Sequence, residues 1–305
     1  MVNTTRRRVA VVTDSTSDLP RDLVEKYGIH MVPQILIMGD NTWRDGVDID
    51  PPTFYRLLKT SPHFPSTSQV SIATFQELFE TLSQEADGIV AVLISNELSG
   101  TLNSALAAAA SLPDDPIEIV DSRSASMQLG FIALAAARAA AAGADLKAVA
   151  NVARSLADKV RVYFVVDTLE FLHRGGRIGA AARLFGSALN LKPVLEVRDG
   201  IVTPVAKIRT RRKALDKVLD IVEEQIAPWT VRSNLEGGRS EGSQGRQAPR
   251  VHMAVLHIAS PEEAAQVVEQ LVARFHPVEM IASECGPVVG AHVGPGTIGV
   301  VFYTE

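Results

Sequence analysis

Val9-Ala10-Val11-Val12-Thr13-Asp14-Ser15-Thr16-Ser17 is an apolar, β-branched run that breaks into a turn made almost wholly of hydroxyl side chains. Such a run reads as a buried strand handing over to a helix. The pattern recurs: Ile89-Val90-Ala91-Val92-Leu93-Ile94 ends in Ser95-Asn96-Glu97-Leu98-Ser99-Gly100-Thr101, and Ile117-Glu118-Ile119-Val120 ends in Asp121-Ser122. Helical patterns separate these runs, so the order predicts a parallel α/β sheet with right-handed crossovers. In an open sheet of that kind the carboxyl ends of the strands line one edge, and ligands sit in the crevice there. Hydroxyls and helix N-terminal N–H groups gathered at that edge suit a polar or anionic head group.

The chain has 305 residues, of which 46% are hydrophobic and 21% charged, enough for two domains with substantial cores. A formal net charge of -5 argues against a general nucleic-acid surface, and no nucleic-acid partner is expected. Cys285 is the single cysteine, which excludes an intrachain disulfide and a zinc cluster of cysteines. The positive start Thr4-Thr5-Arg6-Arg7-Arg8 leads into an apolar run that is interrupted at Asp14, too short for a signal peptide. Residues 131–143 form the longest apolar stretch but contain Arg138 and fall short of a membrane span. A soluble cytoplasmic protein without stable membrane insertion is expected.

In the first half the pattern predicts a helix over 19–26 that stops at Gly28, one strand over 30–38, a helix opening at Pro51 with Asp50 as its cap, and a helix over 73–84. An alanine-rich helix follows from Thr101, and two more end near Ala157. The second half differs. Residues 194–205 place Asp199-Gly200 between alternating apolar side chains, the strongest hairpin signal in the chain. A helix over 211–224, a strand over 250–258 and a helix over 261–275 follow; Ser260, Pro261 and Glu263 give the last one a cap, a first-turn proline and a capping-box acid. The expected organisation is a parallel-sheet α/β domain over 1–165 and a mixed-sheet α/β domain over 166–305. Residues 230–249, which include Gly237-Gly238-Arg239-Ser240-Glu241-Gly242, lack apolar periodicity and are expected to form a flexible surface insertion.

Individual motifs admit more than one use. Gly294-Pro295-Gly296-Thr297-Ile298-Gly299 fits G-x-G-x-x-G, but a strand pattern follows it where a dinucleotide site needs a helix. His292 sits among Gly290, Gly294 and Gly296, which would let a ligand approach the ring; a structural role is the alternative. Cys285 lies seven residues before His292, a spacing open to a nucleophilic pair or to a small buried thiol. Asp14 at the end of a strand suits either a phosphoryl-accepting carboxylate or a cap. Lys207, Arg209, Arg211 and Arg212 form a solvated face or an anion contact, and residues 169–179 read as a domain-joining device or a docking segment. No metal-ligand spacing is present, so no metal or cofactor is expected.

Taken together, Val11-Val12-Thr13-Asp14-Ser15-Thr16-Ser17-Asp18-Leu19, Pro65-Ser66-Thr67-Ser68-Gln69, Leu98-Ser99-Gly100-Thr101, Leu172-His173-Arg174-Gly175-Gly176-Arg177-Ile178, Lys192-Pro193-Val194-Leu195, Arg209-Thr210 and residues 286–297 resemble the bacterial DegV family, in order and nearly end to end. The resemblance implies two α/β domains with a ligand tunnel between and within them. It implies a non-catalytic binding subunit that holds a long-chain fatty acid and presents its carboxyl group to a separate, dihydroxyacetone-kinase-like fatty acid kinase, which makes acyl phosphate for phospholipid synthesis. Carried over by motif, Ser66, Thr67, Ser95, Ser99 and His292 would meet the carboxylate, with Arg209 near the position where phosphate is added. No residue would be catalytic. A phosphotransferase or hydrolase acting on a small anionic substrate, and a lipid-responsive regulatory protein, are the alternatives.

Overall fold

The computed structural model describes residues 9–186, 191–235 and 250–305, with side chains in the long helix before the second gap described as far as Ala227. The first half runs β1 (Ala10–Asp14), α1 (Arg21–Tyr27), β2 (His30–Val32), β3 (Ile35–Met38), β4 (Asn41–Arg44), α2 (Pro51–Thr60), β5 (Ser66–Ser68), α3 (Ile72–Glu85), β6 (Ile89–Leu93), α4 (Thr101–Ala110), β7 (Ile117–Asp121), α5 (Met127–Ala141) and α6 (Leu146–Ala157). The second half runs β8 (Arg161–Val165), α7 (Glu170–Arg174), β9 (Val194–Arg198), β10 (Ile201–Ala206), α8 (Arg211–Leu235), β11 (Val251–His257), α9 (Pro261–Phe275), β12 (Glu279–Glu284), α10 (Pro287–Val293) and β13 (Ile298–Thr304).

A parallel four-stranded sheet has the order β2-β1-β6-β7. Every residue of β1 and β6 is buried, as strands covered on both faces require, and this is why their sequences read as unbroken apolar runs. The six-stranded sheet has the order β10-β9-β8-β13-β11-β12 and is antiparallel except for the β11/β12 pair. Helix α5, buried along most of its length and rich in alanine, lies between the two sheets and packs Phe131 edge-on against Tyr303 at 5.2 Å between ring centres. One core cluster therefore spans both halves. A second lies under α8 and α9, on the far face of the six-stranded sheet.

Local signals explain most boundaries. Gly28 ends α1 with φ 58, Asp50 accepts from the Thr53 N–H at 2.8 Å, and Asp199 and Gly200 both take positive φ (50 and 83) in the β9–β10 hairpin turn. Two expectations, the single strand over 30–38 and the Ser260 cap, need correction. Residues 30–38 form two strands, because Pro33 has no N–H to continue the ladder with β1; β3 instead leaves for a three-stranded antiparallel sheet, β4-β3-β5. Strand β8, at the expected junction of the two halves, hydrogen-bonds to β9 and β13. Ser260 does not cap α9: its hydroxyl donates to the Ile258 carbonyl at 3.2 Å, and Glu263 pairs with Arg211 instead. Of the expected insertion, residues 230–235 continue the α8 backbone and 236–249 lie outside the described residues.

Candidate functional site

The order β2-β1-β6-β7 reverses direction between β1 and β6, and a crevice is expected at the carboxyl ends there. The Asp14 carboxylate bridges that point, accepting from Thr16 N–H at 3.0 Å and from Ile94 N–H at 2.8 Å. Both oxygens are thus held, and burial pushes the carboxyl up from its ordinary range. This is the crevice-shaping use of Asp14, whose side chain is fully buried. Beside it opens a cavity of about 330 Å³ between the two sheets, within the usual range of small-molecule sites. Much of its lining is apolar: Val162, Phe164, Val202 and Leu256 from the six-stranded sheet, Leu172 and Val288 around them, and Gly299 with no side chain.

The polar wall residues are joined to one another. Thr67, on the edge strand β5, places Oγ1 2.8 Å from His292 Nε2. Ser99 Oγ lies 2.9 Å from Thr101 Oγ1, which in turn bonds the buried amide of Gln34. The Arg177 guanidinium donates from Nε to the Leu98 carbonyl at 2.9 Å and from a terminal nitrogen to the Gly175 carbonyl at 2.7 Å. Burial first, and then the Arg177 charge, pull the His292 imidazole down to about 4, so it is neutral at physiological pH. Its Nδ1 is buried and has no hydrogen-bond partner among the described residues. Gly175 packs against that nitrogen, where a Cβ would collide with it. The site thus offers hydroxyls, a neutral imidazole and one fixed cation, which suits a singly charged carboxylate.

The structure brings together Thr67, Ser99 and His292 of the expected contacts and leaves three residues off the cavity wall. Ser66 is exposed on β5, opposite Ile37. Ser95 is buried and donates to the Gly200 carbonyl at 2.9 Å while accepting from Glu97 N–H at 3.2 Å, so it fastens the β9–β10 turn to the first half. Arg209 is exposed on the loop before α8. That loop reaches toward the 294–297 turn: Arg211 lies 3.6 Å from Asp167, which packs against Gly296. His292 sits in the last turn of a helix, not in a glycine loop as its neighbours suggested.

Arg177 was missed. Residues 169–179 read as a domain-joining device or a docking segment, although Arg-Gly-Gly-Arg contains the needed signal: Gly176 has φ 72, and the turn it permits brings Arg177 back to the crevice. A second feature missed is how α10 is held. Asp18 accepts from Gly286 N–H at 2.8 Å and from Ser126, Ser15 donates to Asp45 at 2.8 Å, and the Tyr55 hydroxyl donates to the Cys285 carbonyl at 2.6 Å. Burial pushes the Asp18 and Asp45 carboxyls up to about 7. Burial also raises the Cys285 thiol well above its ordinary value, and its contact is Ser126 Oγ at 3.7 Å, the small-buried-thiol reading of that residue. Among the described residues no His, Cys, Asp or Glu group has metal-holding geometry, and no helix is long and apolar enough to cross a membrane.

Residues 8–305 match the family model described as "Uncharacterised protein, DegV family". A DegV domain-containing protein of Streptomyces coelicolor is 39% identical over 298 residues, covering 97% of this chain and 98% of its own. Among solved structures, a DegV family protein from Thermus thermophilus described as fatty-acid binding superposes with a TM-score of 0.86 at 33% identity, covering 98% of this chain and 100% of its own. DegV of Bacillus subtilis, described as a fatty acid binding protein, gives 0.85 at 31% identity, with coverage of 98% and 100%.

Proposed function

The chain belongs to the DegV family, and we propose on that footing that it binds a long-chain fatty acid, acyl chain in the apolar cavity, carboxyl group at Thr67, Ser99, Arg177 and His292. It presents the carboxyl group to a separate ATP-dependent kinase of the dihydroxyacetone-kinase-like type, which converts it to an acyl phosphate in the cytoplasm for phospholipid synthesis. The observation that carries the reading is one cavity lined both by apolar side chains such as Val162, Phe164 and Leu256 and by the hydrogen-bonded pair Thr67 and His292. Each buried methylene contributes about 0.8 kcal/mol, so the tail sets the affinity and the head group sets orientation. The Arg177 cation balances the carboxylate charge, and the neutral imidazole and two hydroxyls orient the group by hydrogen bonds. Ser66 and Ser95 take no part in this contact. Arg209, on the outer loop, is assigned to the approach of the phosphate.

Mass spectrometry of the purified protein tests the first half of the proposal. A native-state mass excess lost on denaturation and equal to a long-chain fatty acid is expected; a protein that stays empty when offered such acids overturns it. The second half is tested by adding ATP and a dihydroxyacetone-kinase-like protein to the loaded form. Acyl phosphate trapped by hydroxylamine is expected, and none with a kinase active on another DegV protein removes the presenting role.

A further inference from the structure

The ladder between β8 and β9 stops early. Tyr163 pairs with Glu196, Phe164 with Leu195 and Val165 with Val194, and no further pair forms. Yet β8 continues to Arg161 against β13, and β9 continues to Arg198 against β10. Val162 and Val197, next in that register, thus flank a break in the sheet. Both line the apolar cavity. Strand β8 leads to the break from the head-group end: Val165 pairs with Ile298, next to Thr297, whose hydroxyl donates to the Val293 carbonyl beside His292 at 3.1 Å. Val162 pairs with Val301, farther along.

Beyond the break lies a second cavity, also of about 330 Å³, and Val197 forms part of its wall as well. Its character is opposite. Arg198 pairs with Glu196 at 2.8 Å, Arg123 pairs with Asp158, and the Gln128 side-chain oxygen is buried there without a hydrogen-bond partner. The surroundings change from apolar to charged across one side chain.

We infer that Val197, with Val162 beside it, is the end stop of the acyl cavity and sets the longest chain the protein accepts. This rests on the fatty-acid reading above. Methylenes laid along Val162, Phe164 and Leu256 gain roughly fourfold in affinity each. A methyl group pushed past Val197 enters a space lined by ion pairs and an unpartnered amide oxygen, where it displaces water that those groups need and gains nothing in return.

The test is the binding of saturated straight-chain acids, from dodecanoic to docosanoic, by displacement of a fluorescent fatty acid from the delipidated full chain. Wild-type affinity should climb with length to a maximum and then fall. In Val197→Phe the maximum should move to acids about two carbons shorter, and in Val197→Ala to longer ones, with shorter acids binding within about threefold of wild type. Val197→Leu, a smaller change on the same strand, should move it in the same direction as Val197→Phe and serves if the phenylalanine variant does not fold. Identical length profiles in folded variants and wild type overturn the end stop while leaving the carrier function standing. Wild type that binds no acid of any length overturns the carrier function itself.

Discussion

Thr67 and His292 meet side chain to side chain at 2.8 Å across 225 residues of sequence. The contact ties an edge strand of the first half to the last turn of α10, and it fixes which imidazole nitrogen faces the hydroxyl. Thr67→Val keeps the shape of the side chain and removes the oxygen. One neutral hydrogen bond is worth about 1 kcal/mol, so fatty-acid affinity should fall about fivefold, and the melting temperature should fall too because His292 Nε2 loses its partner. Calorimetric titration decides it, and affinity equal to wild type takes Thr67 out of the head-group site.

Arg177 acts on His292 through charge. Its removal in Arg177→Met should let the imidazole titrate above the value of about 4 that it has in the wild type, because the second of the two causes of that depression is gone. The ring proton shifts followed by NMR against pH report this directly. A histidine whose titration does not move would mean that burial alone sets it.

Stability against pH should carry two opposed contributions. Asp18 and Asp45, pushed up to about 7, hold more protons folded than unfolded between about 4 and 7, so their contribution falls as pH rises through that window. His292 holds fewer protons folded than unfolded between about 4 and 6.5; its contribution is complete above that window and is lost as pH falls through it. Asp45→Asn removes one of the buried acids. It should raise stability at pH 8 by on the order of 2–4 kcal/mol and flatten the acid-side slope. Melting curves from pH 4 to 8 that differ from wild type by a constant offset would contradict this.

Tyr55→Phe should destabilise the fold by about 1–3 kcal/mol, because the Cys285 carbonyl is buried and loses its donor. Helix α10 follows directly after that carbonyl, so head-group binding should weaken in the same variant. Loss of stability with unchanged fatty-acid affinity would separate α10 placement from the site.

Delipidation should lower the melting temperature, since a ligand at about 100 times its dissociation constant adds about 2.7 kcal/mol. Adding a long-chain acid back should restore it, whereas a short-chain acid such as butyric should not. Equal recovery with both would show that the carboxyl group, not the tail, supplies the binding energy.

The sequence made the first sheet legible because β1, β6 and β7 announce themselves as apolar runs that end in hydroxyl turns. The Asp199-Gly200 hairpin and the caps at Gly28 and Asp50 were equally readable, being local effects. What stayed hidden depends on partners distant in sequence. Thr67, Ser99 and His292 converge on one cavity, while Ser95 from the same turn as Ser99 goes to the Gly200 carbonyl, and no property of the turn itself separates the two. Arg177 looked like part of a connector because its role depends on where Gly176 turns the chain. The break between β8 and β9 leaves no mark in either strand, since Val162 and Val197 fit a continuous ladder as well as an interrupted one.

Strand β13 lies in the interior of the six-stranded sheet, between β8 and β11, though it comes last of the six in the chain. A nascent chain that has already made β8 to β12 therefore still lacks the strand that joins β8 to β11. Non-local pairing of this kind is slow to form and exposes unpaired edges while it waits. During synthesis the first half has its own parallel sheet early, but the strand of Val162 and Phe164 is not joined to that of Leu256 in the opposite wall until residues 298–304 have been made and slotted in. A ribosome-bound chain stalled before β13 should accordingly remain empty in the presence of fatty acid.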